Sequence, residues 1–169
     1  IKSEGWQVTD MSESQSNVAR WPLVLGGDQA YGIGVELTQR EQSIDKALQD
    51  PGPVVIADPS DNPGGGAPGD STVILRRLIE RKVQGAALGP MWDPMAVRLC
   101  FMAGEGSKLQ LRFGGKTALP SGQPIDALVT VKKLVRDATQ TFVDATIALG
   151  DCATIDLGGI EVVLITKRT

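Results

Sequence analysis

The sequence predicts an α/β fold, a parallel strand-helix-strand-helix unit with a Gly-rich loop, followed by an antiparallel β meander. Three observations lead there. The apolar run Pro53-Val54-Val55-Ile56-Ala57 stops at a cluster of acids, prolines and glycines before a helical pattern, the order of a buried strand, a shaped loop and a helix start. A second apolar run, residues 83–88, is again followed by a loop and a helical pattern, which implies a right-handed parallel unit. Beyond residue 107 the hydrophobic period becomes two, as in strands with one buried face.

Taken in order, residues 1–20 are polar, with Ser12, Ser14, Ser16 and Asn17 in one run, and are expected to form an irregular lead-in or linker. The domain proper is expected over 21–169, its α/β part about 21–106 and its β-rich part about 107–169. Leu23-Val24-Leu25 before Gly26-Gly27-Asp28 reads as a short strand and turn, and a helical stretch over 29–37 is weakened by Gly32 and Gly34. Thr38 with Glu41 has capping-box spacing and Ser43 is a rival cap, so a helix is expected to end near Gln49 before Pro51-Gly52. The strand over 53–57 and its loop follow. A helix over 71–82 carries Ile74, Leu75, Leu78 and Ile79 on one face and Arg76, Arg77, Glu80 and Arg81 on the other. Residues 83–88 form the next strand and 89–94 its loop. Asp93 as N-cap with Pro94 at N1 starts a helix whose stripe is Val97, Cys100 and Phe101, ended by Gly104 and Gly106. Residues 109–113, 127–131 and 154–157 alternate as strands, and Gly158-Gly159 turns into a last strand over 160–166.

A chain of 169 residues buries roughly 70% of the surface it would expose unfolded, so one core suffices. A hydrophobic share of 41% and a charged share of 22% are those of a soluble globular protein. The net charge of -3 lacks the footprint of a nucleic-acid binder. No apolar run reaches membrane-spanning length and no leader opens the sequence, so neither nucleic acid nor membrane is an expected partner and the cytoplasm is the default location. Cys100 and Cys152 match no metal spacing and read as small core residues. The absence of histidine excludes a Ser-His-Asp triad, a Cys-His pair and a histidine-ligated zinc within this chain. Ile1 at the start, and Lys167-Arg168-Thr169 straight after a strand, read as a piece of something longer.

The loop is the candidate site. Gly64, Gly65, Gly66 and Gly69 permit unusual backbone shapes while Pro59, Pro63 and Pro68 stiffen the same stretch. Gly64-x-Gly66-x-x-Gly69 satisfies the dinucleotide pattern, but that fingerprint sits directly at a strand end and here residues 58–63 intervene. The P-loop spacing fails as well, because Asp70 stands where the phosphate-reaching lysine belongs. With both loops at the carboxyl edge of one sheet, Asp61, Asn62 and Asp70 are set toward Trp92 and Asp93.

Each feature also has a structural reading. Asp70 can cap the following helix through the amide of residue 72 or 73, and a cap can still line a site. Asp93 before proline is explained by the helix start alone, Trp92 by core or rim packing, and Lys116 beside Gly114-Gly115 by a solvated turn. Acids at the end of a buried strand are costly unless hydrogen-bonded or working, which points to function for Asp61 and leaves Asp58 open.

The run Asp58-Pro59-Ser60-Asp61-Asn62-Pro63-Gly64-Gly65-Gly66-Ala67-Pro68-Gly69-Asp70-Ser71-Thr72, then Gly89-Pro90-Met91-Trp92-Asp93-Pro94, Leu111-Arg112-Phe113-Gly114-Gly115-Lys116 and Gly158-Gly159-Ile160-Glu161-Val162-Val163-Leu164, resembles the C-terminal domain of the MlrC (microcystinase C) family. The resemblance spans about residues 20–169. It implies a metallopeptidase-like parent that performs zinc-assisted hydrolysis of a peptide or amide, its zinc held by a larger, histidine-containing N-terminal domain of the same polypeptide. It also implies a further histidine-containing segment beyond Thr169. This chain is then expected to hold no zinc alone, to carry no catalytic residue, to be inactive by itself, and to complete the cleft. Asp61, Asn62, Gly64, Gly65, Gly66 and Asp70 carry over as substrate-binding positions. The alternative is a non-catalytic module whose Gly-rich loop and helix N-terminus take an anion or other ligand, or serve packing. A carboxylate-only Mg or Ca site at Asp58, Asp61 and Asp70 ranks last.

Overall fold

The computed structural model describes residues 6–9, 23–26, 37–142 and 144–169. They fall into two compact units, Ile1–Ser60 and Asp61–Thr169. In the first, β1 (Trp6–Thr9) pairs antiparallel with β2 (Leu23–Gly26), and α1 (Leu37–Gln49) follows. The strand expected at 23–25 is β2, while β1 lies within the stretch expected to be irregular. Both proposed caps, Thr38 and Ser43, fall inside α1. The helical stretch anticipated before it, residues 29–36, lies outside the described residues.

Residues 53–58 form no strand, which corrects the expected strand-helix-strand unit. Pro53 has no N–H, Val55 is exposed, and the run joins no ladder among the described residues. Composition alone made it look like a buried strand. The parallel partner that it was to supply comes instead from the end of the chain.

The second unit runs α2 (Val73–Glu80), β3 (Ala86–Trp92), α3 (Pro94–Ala103), β4 (Lys108–Phe113), β5 (Ile125–Phe142), β6 (Ala145–Asp156) and β7 (Ile160–Ile165). The result is a mixed α/β unit with one five-stranded sheet in the order β3-β7-β6-β5-β4. Strands β4 to β7 make the antiparallel meander, and β3 adds parallel to β7 at the edge.

Two boundaries moved for physical reasons. β3 begins later than expected and runs on through Gly89-Pro90-Met91-Trp92, which had read as a loop. A register shift between Leu88 and Met91 absorbs the proline, and an edge strand tolerates the donor that proline lacks. Gly89 is required there, because a Cβ would lie 2.9 Å from Val163 Cβ. Helix α2 is shorter than expected at both ends. Thr72 is its N-cap residue, and Lys82 takes a left-handed φ of 54°.

Strand β5 is the other surprise, with 18 residues. β4 covers only residues 125–130 of it and β7 only 152–156 of β6, so the rest pairs as a two-stranded ribbon ending at Phe142 opposite Ala145. The bulges near residues 131–133 and 135–139 increase its local twist.

The core sits where α3 crosses the sheet. Ala96, Val97 and Cys100 of α3, Leu75 of α2, and Met91, Leu111, Phe113, Val129, Val131, Ile155, Val162 and Leu164 of the strands are all buried. Both cysteines are free and buried, as core residues should be. Among the described residues no helix is long and apolar enough to cross a membrane. Phe113→Ala should cost about 4 kcal/mol, because the ring is fully buried. On the same sheet the exposed Leu128 should tolerate Ala within about 0.5 kcal/mol. Urea unfolding of the two variants measures the contrast.

Candidate functional site

The glycine-rich loop is shaped by its own polar groups. Asp61 Oδ1 accepts the Gly69 N–H at 2.9 Å and Oδ2 the Ser71 N–H at 2.7 Å, so one carboxylate closes the loop. Asn62 caps the short 3-10 turn Pro63–Gly65, its Oδ1 accepting the Gly64 N–H at 3.0 Å. Gly66, at a left-handed φ of 95°, ends that turn by donating to Pro63 O. Gly69 also has positive φ, and a Cβ there would lie 2.7 Å from Pro63 Cγ. The outcome is a stiff loop with Gly64, Gly65 and Gly66 exposed at its apex.

Behind the apex two buried carboxylates meet one turn. Asp70, 1% exposed, accepts the Lys116 and Thr117 amides on Oδ2 at 2.8 and 2.9 Å, while its carbonyl accepts the Gly115 N–H at 2.7 Å. Asp93, 4% exposed, accepts the Ala96 N–H on Oδ1 as the helix cap, and on Oδ2 the Gly114 N–H and the Lys116 ammonium. The Trp92 N–H reaches Gly69 O at 2.7 Å, which ties the end of β3 to the loop. Thr72 Oγ1 donates toward Ser121 O and Gln123 O.

Burial alone would raise the Asp70 carboxyl. The Ser121 hydroxyl beside it and the Lys116 and Thr117 amides outweigh burial, and its pKa lies below the ordinary aspartate value. Ser121 Oγ and Asp70 Oδ1 are both buried and have no hydrogen-bond partner, whereas Asp70 Oδ2 accepts two amides. The Cys100 thiol is pushed up to about 11, first by burial and then by the charge of Asp93.

These contacts place each expected site residue. Asn62 and Gly64 to Gly66 are at or near the surface of the loop, and Asp61 is half-buried behind them. Asp70 faces inward and does not cap α2, whose N-cap Thr72 makes no side-chain cap bond. Asp58 turns back on Ser60, accepting its N–H and hydroxyl. Lys116 is no free solvated lysine, since it bonds Asp93 Oδ2 at 2.8 Å and Arg112 O at 2.9 Å. Sequence reasoning missed Thr72, Ser121 and Gln123. Their role depends on backbone carbonyls about fifty residues away, and no local pattern announces that.

Asp61, Asp70 and Asp93 already accept backbone amides, and among the described residues no three His, Cys, Asp or Glu side chains group as a metal site. Thr72 gives its N–H to Ser121 O and Val73 gives its own to Ser71 Oγ.

These features define a class: a mixed α/β domain in which buried aspartates brace an exposed glycine-rich loop. The chain belongs to the family described as MlrC C-terminus, whose model matches residues 56–169. Microcystinase C of Sphingomonas sp. is 38% identical over 139 residues, a match covering 82% of this chain and 26% of that protein. A solved structure from Mesorhizobium sp. BNC1, provisionally named as a metallopeptidase, is similar with a TM-score of 0.68 at 23% identity. That match covers 85% of this chain and 28% of the other, and at this identity it bears on the fold. The chain thus spans about a quarter of the curated relative's length.

Asp70→Ala should cost about 2 kcal/mol by leaving two part-buried amides without their acceptor. Because the folded pKa is depressed, the carboxylate's contribution is complete above the ordinary value of about 3.9 and fades as pH falls through the lower folded value. Thermal melts from pH 7 to 3 should show the gap between wild type and Asp70→Asn closing at the acid end. Cys100 should resist thiol reagents at pH 8 in the native protein and react once urea unfolds it, as a timed thiol titration would show.

Proposed function

We propose that this chain is the C-terminal domain of a zinc-dependent, metallopeptidase-like hydrolase, and that its glycine-rich loop completes a cleft for a peptide or amide substrate. The zinc and the reacting groups belong to an N-terminal metal-binding domain of the same polypeptide. No step of the hydrolysis is assigned to this chain, which by itself is inactive. Its work is to orient substrate and exclude water, and a misplacement of about 1 Å can cost around a hundredfold in rate.

One observation carries the reading. Gly65 is exposed, its φ is not left-handed, and the nearest atom to an added Cβ would be Asn62 Nδ2 at 3.7 Å, an ordinary contact. Neither the backbone nor the packing of its own domain requires glycine there. A glycine of that kind suits close approach of an outside group to the main chain. Gly64 differs: a Cβ there would lie 3.3 Å from Asn62 Oδ1, a tight contact that would press on the cap of the turn. Family membership and the quarter-length match to microcystinase C support this choice of reaction class.

In this reading Asn62, Gly64, Gly65 and Gly66 meet the substrate, while Asp61 and Asp70 hold the loop that presents them. Gly65→Val in the full-length protein should lower kcat/KM at least tenfold, with zinc content and Tm unchanged. Peptidase kinetics, elemental analysis and calorimetry on one preparation test this. Unaltered kcat/KM would contradict a substrate-facing apex.

A further inference from the structure

Helix α3 buries one side and leaves the other bare. Met95, Leu99 and Met102 are 61%, 42% and 75% exposed, and with Arg98 they stand at i, i+3, i+4 and i+7, which is one face of a helix. Large apolar side chains repeated at that spacing form a patch, unlike scattered ones. Arg98 is exposed and has no hydrogen bond or ion pair among the described residues. Beside this face lies a groove of about 460 Å³, lined by Val97, Arg98, Phe101, Met102, Arg136 and Asp151 among others. The Arg136 guanidinium sits 4.6 Å above the Phe101 ring and pairs with Asp151 at 3.2 Å, so the groove has an apolar floor and a polar rim.

We propose that this face and groove are where the remainder of an MlrC-type polypeptide docks, through an apolar ridge carrying a carboxylate for Arg98. The proposal rests on the reading that the chain is one domain of a longer protein. Roughly three-quarters of the microcystinase C polypeptide lies outside the region matched here. A covalently attached partner is present at an effective concentration in the millimolar range, so a modest face suffices. A second copy drawn from dilute solution would need about 800 Å² on each partner. Helix α3, with ten residues, is only about 15 Å long and presents less than that.

The test is hydrogen-deuterium exchange of peptides covering residues 94–103, in the 169-residue chain and in the full-length protein, each as wild type and Leu99→Glu. The α3 amides should exchange at least tenfold more slowly in the full-length protein than in this chain. Leu99→Glu should abolish that protection while leaving the Tm of the 169-residue chain unchanged. Equal exchange in the two wild types, or protection that survives Leu99→Glu, overturns the proposal. So does protection in the 169-residue chain that fades on dilution, which would assign the face to a second copy. The cleft reading fails separately: Gly65→Val would then leave turnover intact whatever happens at α3.

Discussion

Two buried carboxylates reaching for one turn hold this domain together. Asp70 follows the glycine-rich loop and Asp93 starts α3, yet both accept hydrogen bonds from residues 114–117. A buried carboxylate is tolerated only where hydrogen-bond donors meet it, so each fixes the position of the backbone that donates to it. The turn can come close enough only because it carries no side chains at its first two positions. A Cβ on Gly114 would lie 2.6 Å from Thr72 Cγ2, and one on Gly115 2.7 Å from the Gln123 carbonyl carbon, both glycines having positive φ. Loop, strand end and turn are therefore tied to one another by hydrogen bonds.

That bracing explains how a surface loop can be useful in recognition. Four glycines in a free chain would be costly to order on binding. Here Asp61 closes the loop, Asn62 caps its turn and Trp92 ties it to β3 before any ligand arrives. The exposed apex is thus shaped in advance, and in the proposed role no affinity is spent on ordering it. The division of labour follows from burial: buried Asp70 and Asp93 build the frame, half-buried Asn62 caps the turn, and Gly64 to Gly66 are exposed. The frame also leaves α3 half-covered, with its sheet-facing side in the core and Met95, Leu99 and Met102 outside.

Much of this was legible in the sequence, where physics is local. Asp93-Pro94 announced the start of α3, period-two alternation announced the meander, and Gly158-Gly159 its last turn. The family likeness came from an unbroken motif of fifteen residues, and the match over residues 56–169 agrees with it. What failed was non-local. Residues 53–57 have the composition of a buried strand, but a strand exists only with a partner, and β3 pairs with β7, some seventy residues downstream. Pro90 disguised the second half of β3 as a loop, because nothing in the sequence says that a strand will lie at a sheet edge. Asp70 resembled a helix cap, since the competing amides of Lys116 and Thr117 are forty-six and forty-seven residues away.

The central claim is that the apex of a pre-braced loop faces a ligand once the rest of the polypeptide is in place. A crystal structure of the full-length protein with a non-cleavable peptide tests it most directly. The account predicts peptide atoms within about 4 Å of the Gly64–Gly66 backbone, the contact distance for packed groups, with the Asp61 and Asp70 hydrogen bonds unchanged. A peptide bound elsewhere, with residues 62–67 open to solvent, would contradict it.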